Sequence, residues 1–129
     1  MNKFLELVEK ICMEDKRYKP DAYEFVMLGL SYTQKKLKRK THVSGNELAE
    51  GLRDYAIDQY GPLALRVLAF WGISKTSDFG DIVFNMINKK LLSKTEKDSL
   101  SDFKEVYDFQ KAFSNILQDS IKLEMAKKA

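Results

Sequence analysis

The sequence predicts a mainly α-helical fold of about six helices in one domain, and three observations predict it. Turn formers are few, two prolines and six glycines in 129 residues, too few to punctuate many short strands. Apolar residues recur at three- and four-residue spacing. Helix-start and helix-stop residues stand at the ends of those stretches. A chain of 129 residues fits a single domain, since that length buries roughly two-thirds of the surface its unfolded form exposes. Residues 1–129 are expected to form that domain, with an N-terminal helix at 3–15 and a tail at 122–129 on its periphery.

Each element has its own signal. Phe4, Leu7, Val8, Ile11 and Cys12 make one stripe of a first amphipathic helix, and the polar residues 16–19 end it. Pro20 suits the first position of a second helix, where its missing N–H costs nothing. Asp21 and Glu24 then lie near the positive end of that helix dipole. Ala22, Phe25, Val26, Gly29, Leu30, Thr33 and Leu37 form its inner face, and Gly29 points to close backbone packing. Ser44 and Glu47 are spaced as a capping box for a third helix carrying Leu48, Leu52, Tyr55 and Ala56. Gly61 can stop that helix and Pro62 can start the next. The fourth, residues 63–71, is apolar on nearly every side except Arg66, which predicts burial all round. Thr76 or Asp78 caps a fifth helix with Phe79, Ile82, Val83, Met86 and Ile87 in a stripe. A short β-hairpin is expected after residue 91, and Asp108 caps a last helix through Phe113, Ile116, Leu117 and Ile121.

The middle helices, 45–60, 62–71 and 77–90, have the order of a winged helix-turn-helix, with the hairpin as wing. The recognition helix of that scheme carries Asp78 and Asp81 near its start, expected on its exposed face. Base and phosphate contacts there need Lys, Arg, Asn or Gln. A three-helix core with helix-turn-helix-like order is therefore the preferred reading.

Composition excludes several chemistries. One histidine and one cysteine, thirty positions apart, do not supply a zinc site; an all-carboxylate site stays open in principle, but no helix carries a Glu-x-x-His pair, and no metal or other cofactor is expected. Cys12 lies on an apolar stripe and reads as an inert thiol. A single cysteine forms no internal disulfide, which fits a reducing, cytoplasmic location. Glu6, Glu9 and Lys10 interrupt the first apolar residues, so no secretory signal is read there. No apolar run reaches the roughly 20 residues of a membrane span. Phosphate-cradling glycine loops and a nucleophile elbow are absent. Asp78-Phe79-Gly80 matches the magnesium-binding tripeptide of protein kinases in letters only. It is explained by a helix start, a core phenylalanine and close packing. Tyr55, Tyr60, Phe70 and Trp71 could stack on bases, but at helical spacing among apolar residues they read as core.

One feature stands out as a binding candidate. Lys35, Lys36, Lys38, Arg39 and Lys40 place five positive charges in six residues at a helix C-terminus, and without them the net charge of +3 becomes −2. Such a basic knot can meet phosphates of RNA, DNA or an anionic lipid surface, or be a solvated helix end that favours cations through the dipole. If all five contacted duplex DNA, log affinity would fall with log salt at a slope of about −4.5.

Several runs carry a resemblance. They are His42-Val43-Ser44-Gly45 with Glu47-Leu48 and Gly51-Leu52, then Gly61-Pro62-Leu63-Ala64 with Val67 and Trp71-Gly72. Thr76, Asp78-Phe79-Gly80, Ile82-Val83-Phe84-Asn85 and Tyr107-Asp108-Phe109 complete the set. In this order, across residues 18–113, the chain resembles a small conserved hypothetical family of the planctomycete and verrucomicrobial group of bacteria. Tyr60 departs from the phenylalanine expected there. That family has no assigned activity, so the resemblance implies a one-domain bacterial protein and transfers no catalytic residue.

Three functions follow as expectations. The first is a cytoplasmic, non-enzymatic module that binds nucleic acid or a ribonucleoprotein surface through the basic knot. The second is a protein-interaction or adaptor module, homodimeric in one form, using apolar residues at both ends of the chain. The third, on thinner grounds, is a small enzyme with His42 and a nearby carboxylate as acid and base.

Overall fold

The computed structural model describes residues 2–39, 42–93 and 100–113. These are mainly helical: α1 (Lys3–Glu14), α2 (Pro20–Lys36), α3 (Gly45–Tyr60), α4 (Ala64–Phe70), α5 (Thr76–Asn88) and a closing turn of helix, α6 (Phe109–Phe113). Short 3-10 turns span Gly61–Leu63 and Leu100–Phe103. The predicted fold class is the observed one. The expected continuation of α6 through Ile116, Leu117 and Ile121 lies outside the described residues.

The starts and stops obey local chemistry. Asn2 caps α1 by accepting the Phe4 N–H at 2.9 Å. Pro20 occupies the first turn of α2. The predicted capping box is present: the Glu47 N–H donates to Ser44 Oγ at 3.1 Å, and the Ser44 N–H donates to Glu47 Oε1 at 3.0 Å. Gly72 ends α4 at φ +95°, a conformation that favours glycine. A Cβ there would also sit 2.2 Å from the Arg17 carbonyl oxygen.

One buried cluster runs from Val8 and Ile11 of α1 to Phe109 and Phe113 of α6. Its tightest seam joins α2 to α3. A Cβ on Gly29 would lie 2.2 Å from Leu52, and one on Gly51 would lie 1.9 Å from Thr33 Oγ1. Thr33 is buried in that seam and satisfies its hydroxyl on the Gly29 carbonyl at 2.7 Å.

Three expectations are corrected. The β-hairpin expected after residue 91 finds no support: residues 91–93 and 100–107 carry no strand, and none occurs among the described residues. Phe103 is drawn into the core, its carbonyl accepts the Thr76 hydroxyl at 2.5 Å, and the Val106 N–H donates to Thr76 Oγ1 at 3.2 Å. The polar backbone groups of that segment are thus spent on the start of α5 rather than on a partner strand. Residues 94–99, the hairpin's loop, lie outside the described residues.

Second, α4 is not buried all round. It docks through Ala64 and Leu68, whereas Phe70 is 68% exposed and the preceding Leu63 is 56% exposed. A two-turn helix that packs through one stripe leaves its opposite side open.

Third, Asp78 is not on an exposed face. It is buried and accepts the Tyr18 hydroxyl at 2.7 Å, the Ser74 N–H at 2.8 Å and the Lys75 N–H at 3.2 Å. Asp81 is half-buried, accepting Tyr18 Oη at 2.9 Å and pairing with Arg17 at 3.0 Å. The start of α5, with Thr76, Phe79 and Gly80 also buried, is packed inside the protein and is not free to enter a groove of DNA.

Candidate functional site

The basic knot sits where the sequence places it, but half of its described charge is already matched. Lys35 and Lys36 occupy the last turn of α2, where cations suit the negative end of the dipole. Lys38 then takes a left-handed φ of +56°, and the Arg39 N–H returns to the Gln34 carbonyl at 2.9 Å. Lys36 Nζ is 2.6 Å from Asp54 on α3, and the hydrogen bond to that carboxylate raises the lysine's pKa. Arg39 pairs with Glu47. The Ser44 backbone N–H, followed by Arg39, holds the Glu47 carboxyl below its usual range. The Lys35 and Lys38 side chains are exposed and make no hydrogen bond or ion pair among the described residues. Lys40 lies outside the described residues.

The catalytic candidates are not drawn together. His42 is exposed at the edge of a cavity of about 440 Å³, with Leu30, Val83, Phe84 and Phe103 among its walls, and no Asp or Glu lines it. Cys12 is half-buried, and its thiol faces the Tyr18 carbonyl at 3.6 Å. Burial, then Asp15 and Glu9, raise its pKa, so the thiolate is disfavoured. A wider hollow of about 820 Å³ lies along the start of α5, and its charged lining, Lys75, Lys104, Glu105 and Asp108, is mixed in sign. Among the described residues no group of three or more His, Cys, Asp or Glu side chains is placed to hold a metal ion. No described helix is long and apolar enough to cross a membrane.

A different site emerges where α2, α3 and the end of α4 meet. Phe25 of α2 lies 5.4 Å from Tyr55, 6.4 Å from Tyr60 and 5.6 Å from Trp71, ring centre to ring centre. Tyr60 and Trp71 meet edge to face, 5.7 Å apart and inclined at 82°. The Lys19 N–H donates to the Trp71 carbonyl at 3.1 Å and ties the start of α2 to this corner. The rings frame a hollow of about 120 Å³, whose remaining walls are Asp21, Glu24 and Leu28.

The helical spacing of 21, 24, 25 and 28 puts two carboxylates, a ring and a leucine on one face of α2. Neither the Asp21 nor the Glu24 carboxylate makes a hydrogen bond or ion pair among the described residues. Burial, then Tyr55, Asp21 and Glu24, raise the Tyr60 pKa, so both acids act on that ring. Leu28, 49% exposed, lines the hollow, and Phe70 adjoins Trp71 in the chain. Lys19 Nζ already rests 3.9 Å from the centre of the Phe70 ring.

Sequence reasoning missed this site because it took Tyr55, Tyr60, Phe70 and Trp71 together as core. The available signal was the α2 face, where acids and apolar residues share one stripe instead of segregating.

No family profile, curated protein or solved structure matches this chain.

Proposed function

We propose that the protein is a non-enzymatic interaction module whose apolar face, Leu28, Leu63, Phe70 and Trp71 beside Asp21 and Glu24, receives a basic, partly apolar segment of another protein. The observation that carries this reading is the exposure of Phe70, the chain neighbour of Trp71, which lines a carboxylate-rimmed aromatic hollow. Single exposed apolar residues are ordinary on protein surfaces. Several together, with aromatic anchors and a polar rim, are the composition of an interface. The two unpaired carboxylates set the sign of the partner's charge.

Peptide display tests it. A random library is selected on the wild type and in parallel on Phe70→Glu. Enrichment of peptides with Lys or Arg between apolar residues, on the wild type alone, supports the reading. Equal recovery on both proteins, or none, overturns it. A sedimentation series that shows a dimer dissociated by Phe70→Glu would identify the occupant as a second copy and overturn the choice of a foreign partner.

Nucleic-acid binding through Lys35, Lys36, Lys38, Arg39 and Lys40 is the second reading, favoured by the exposure of Lys35 and Lys38. With Lys36 and Arg39 held by Asp54 and Glu47, two free described cations give a salt slope of about −1.8 on duplex DNA. Fluorescence anisotropy with labelled RNA and DNA tests that reading. Affinity unchanged on replacing the five residues by alanine would reject it.

A cytoplasmic location accords with the lone cysteine. We also propose kinship with the conserved hypothetical bacterial family. The residues that carry the resemblance include Gly45, Gly51, Thr76, Asp78, Gly80 and Tyr107, which here hold packing contacts or buried and half-buried hydrogen bonds.

A further inference from the structure

We propose that the hollow between Phe25, Tyr60 and Trp71 is a receptor for an alkylated ammonium group, a methylated lysine of the docked partner being its protein-borne form. The inference deepens the docking face described above and rests on it.

Three features converge. Tyr60 and Trp71 meet nearly at a right angle, so they form two adjoining walls, and Phe25 lies against both. Ring faces carry the negative part of the aromatic quadrupole and attract a cation placed over them. Asp21 and Glu24 line the same hollow and add a full charge of the same sign. A volume of about 120 Å³ is more than a single water needs and leaves room for a nitrogen dressed with methyl groups. An unmodified ammonium holds its water strongly and gives up more hydration on entering such a place. Methyl groups spread the charge and present an apolar surface to the rings. Lys19 over Phe70 at 3.9 Å shows cation-on-ring packing at the edge of the same face.

The chain has one tryptophan, so its intrinsic fluorescence reads this site directly. The test titrates the full chain with tetramethylammonium chloride, with sodium chloride at equal ionic strength, and with 3,3-dimethylbutanol, which has the same branched shape without charge. Saturable change of Trp71 emission is expected with tetramethylammonium alone. Each 1.4 kcal/mol of cation–ring and carboxylate attraction is tenfold in affinity, so affinity should fall about tenfold in Asp21→Asn/Glu24→Gln. Both acids are exposed, so that variant keeps its fold, and circular dichroism checks this.

One peptide then identifies the source of the group. A trimethyllysine peptide that binds tighter than tetramethylammonium supports a protein-borne group, and equal affinity supports a free headgroup of choline type. Equal binding of the uncharged alcohol, or a response to tetramethylammonium no different from that to sodium, would overturn the proposal. If either occurs while displayed peptides still discriminate against Phe70→Glu, the receptor fails and the docking face stands.

Discussion

Replacing Asp78 by alanine removes one acceptor from three donors at once. The Tyr18 hydroxyl, the Ser74 N–H and the Lys75 N–H all converge on this 7% exposed carboxylate, at 2.7, 2.8 and 3.2 Å. The tyrosine retains Asp81 at 2.9 Å, so its share of the loss is small. The two backbone donors open the first turn of α5, and losing a helix cap costs about 1 kcal/mol. A hydrogen bond to a charged acceptor adds about 1.5–3 kcal/mol. The sum is roughly 2.5–4 kcal/mol, a large share of the 5–15 kcal/mol that holds a typical domain folded. For a chain of this size it corresponds to a fall of about 10–15 °C in Tm. Asp78→Asn should lose only about 1 kcal/mol, because the amide oxygen can keep the backbone donors while its NH₂ donates to Tyr18. Urea unfolding followed by circular dichroism at neutral pH measures both. Alanine within about 0.5 kcal/mol of the wild type, or asparagine as damaging as alanine, would refute the assigned role.

Gly51→Ala should destabilise by about 2–3 kcal/mol, since its Cβ would overlap Thr33, and Thr33→Ala should restore part of that loss in the double variant. Phe70→Ser should leave stability within about 0.5 kcal/mol, whereas Leu68→Ala, from the buried side of the same helix, should cost about 2–5 kcal/mol; equal losses would mean that α4 has been oriented wrongly. Arg17 and Asn85 hold the Asp15 carboxyl below its usual range, against some opposing burial, and Ser44 and Arg39 do the same for Glu47. The unfolded chain therefore binds more protons in acid. Their contribution is complete above the unfolded values near pH 4 and is lost as pH falls through the lower folded ones. An Asp15→Asn/Glu47→Gln variant should show a flatter acid branch of stability, and an unchanged branch would refute the assignment.

Local signals were legible because their physics is local. Ser44 and Glu47 are three residues apart and form the box their spacing allows. Pro20, Gly61 and Gly72 act within one turn of chain. What the sequence could not show were facts set by distant partners. Asp78 looked like a solvated acid because Tyr18, its buried donor, lies sixty residues away. The basic knot was visible as charge, yet Asp54, which neutralises Lys36, sits eighteen residues on. Glu47 was read as a cap, and its second task of pairing with Arg39 needed the fold. The fourth helix misled for a related reason: apolar composition records what a helix could bury, and only packing decides which side is covered.

The docking face is tested most directly by the amide NMR spectrum of the uniformly labelled protein, titrated first with display-selected basic peptide and then with a short single-stranded RNA. The account predicts that peptide moves the resonances of Leu28, Leu63, Phe70 and the Trp71 indole, and leaves Lys35 and Lys38 in place. Shifts confined to Lys35, Lys38 and their neighbours, with RNA and not with peptide, would contradict it and return the basic knot to first place.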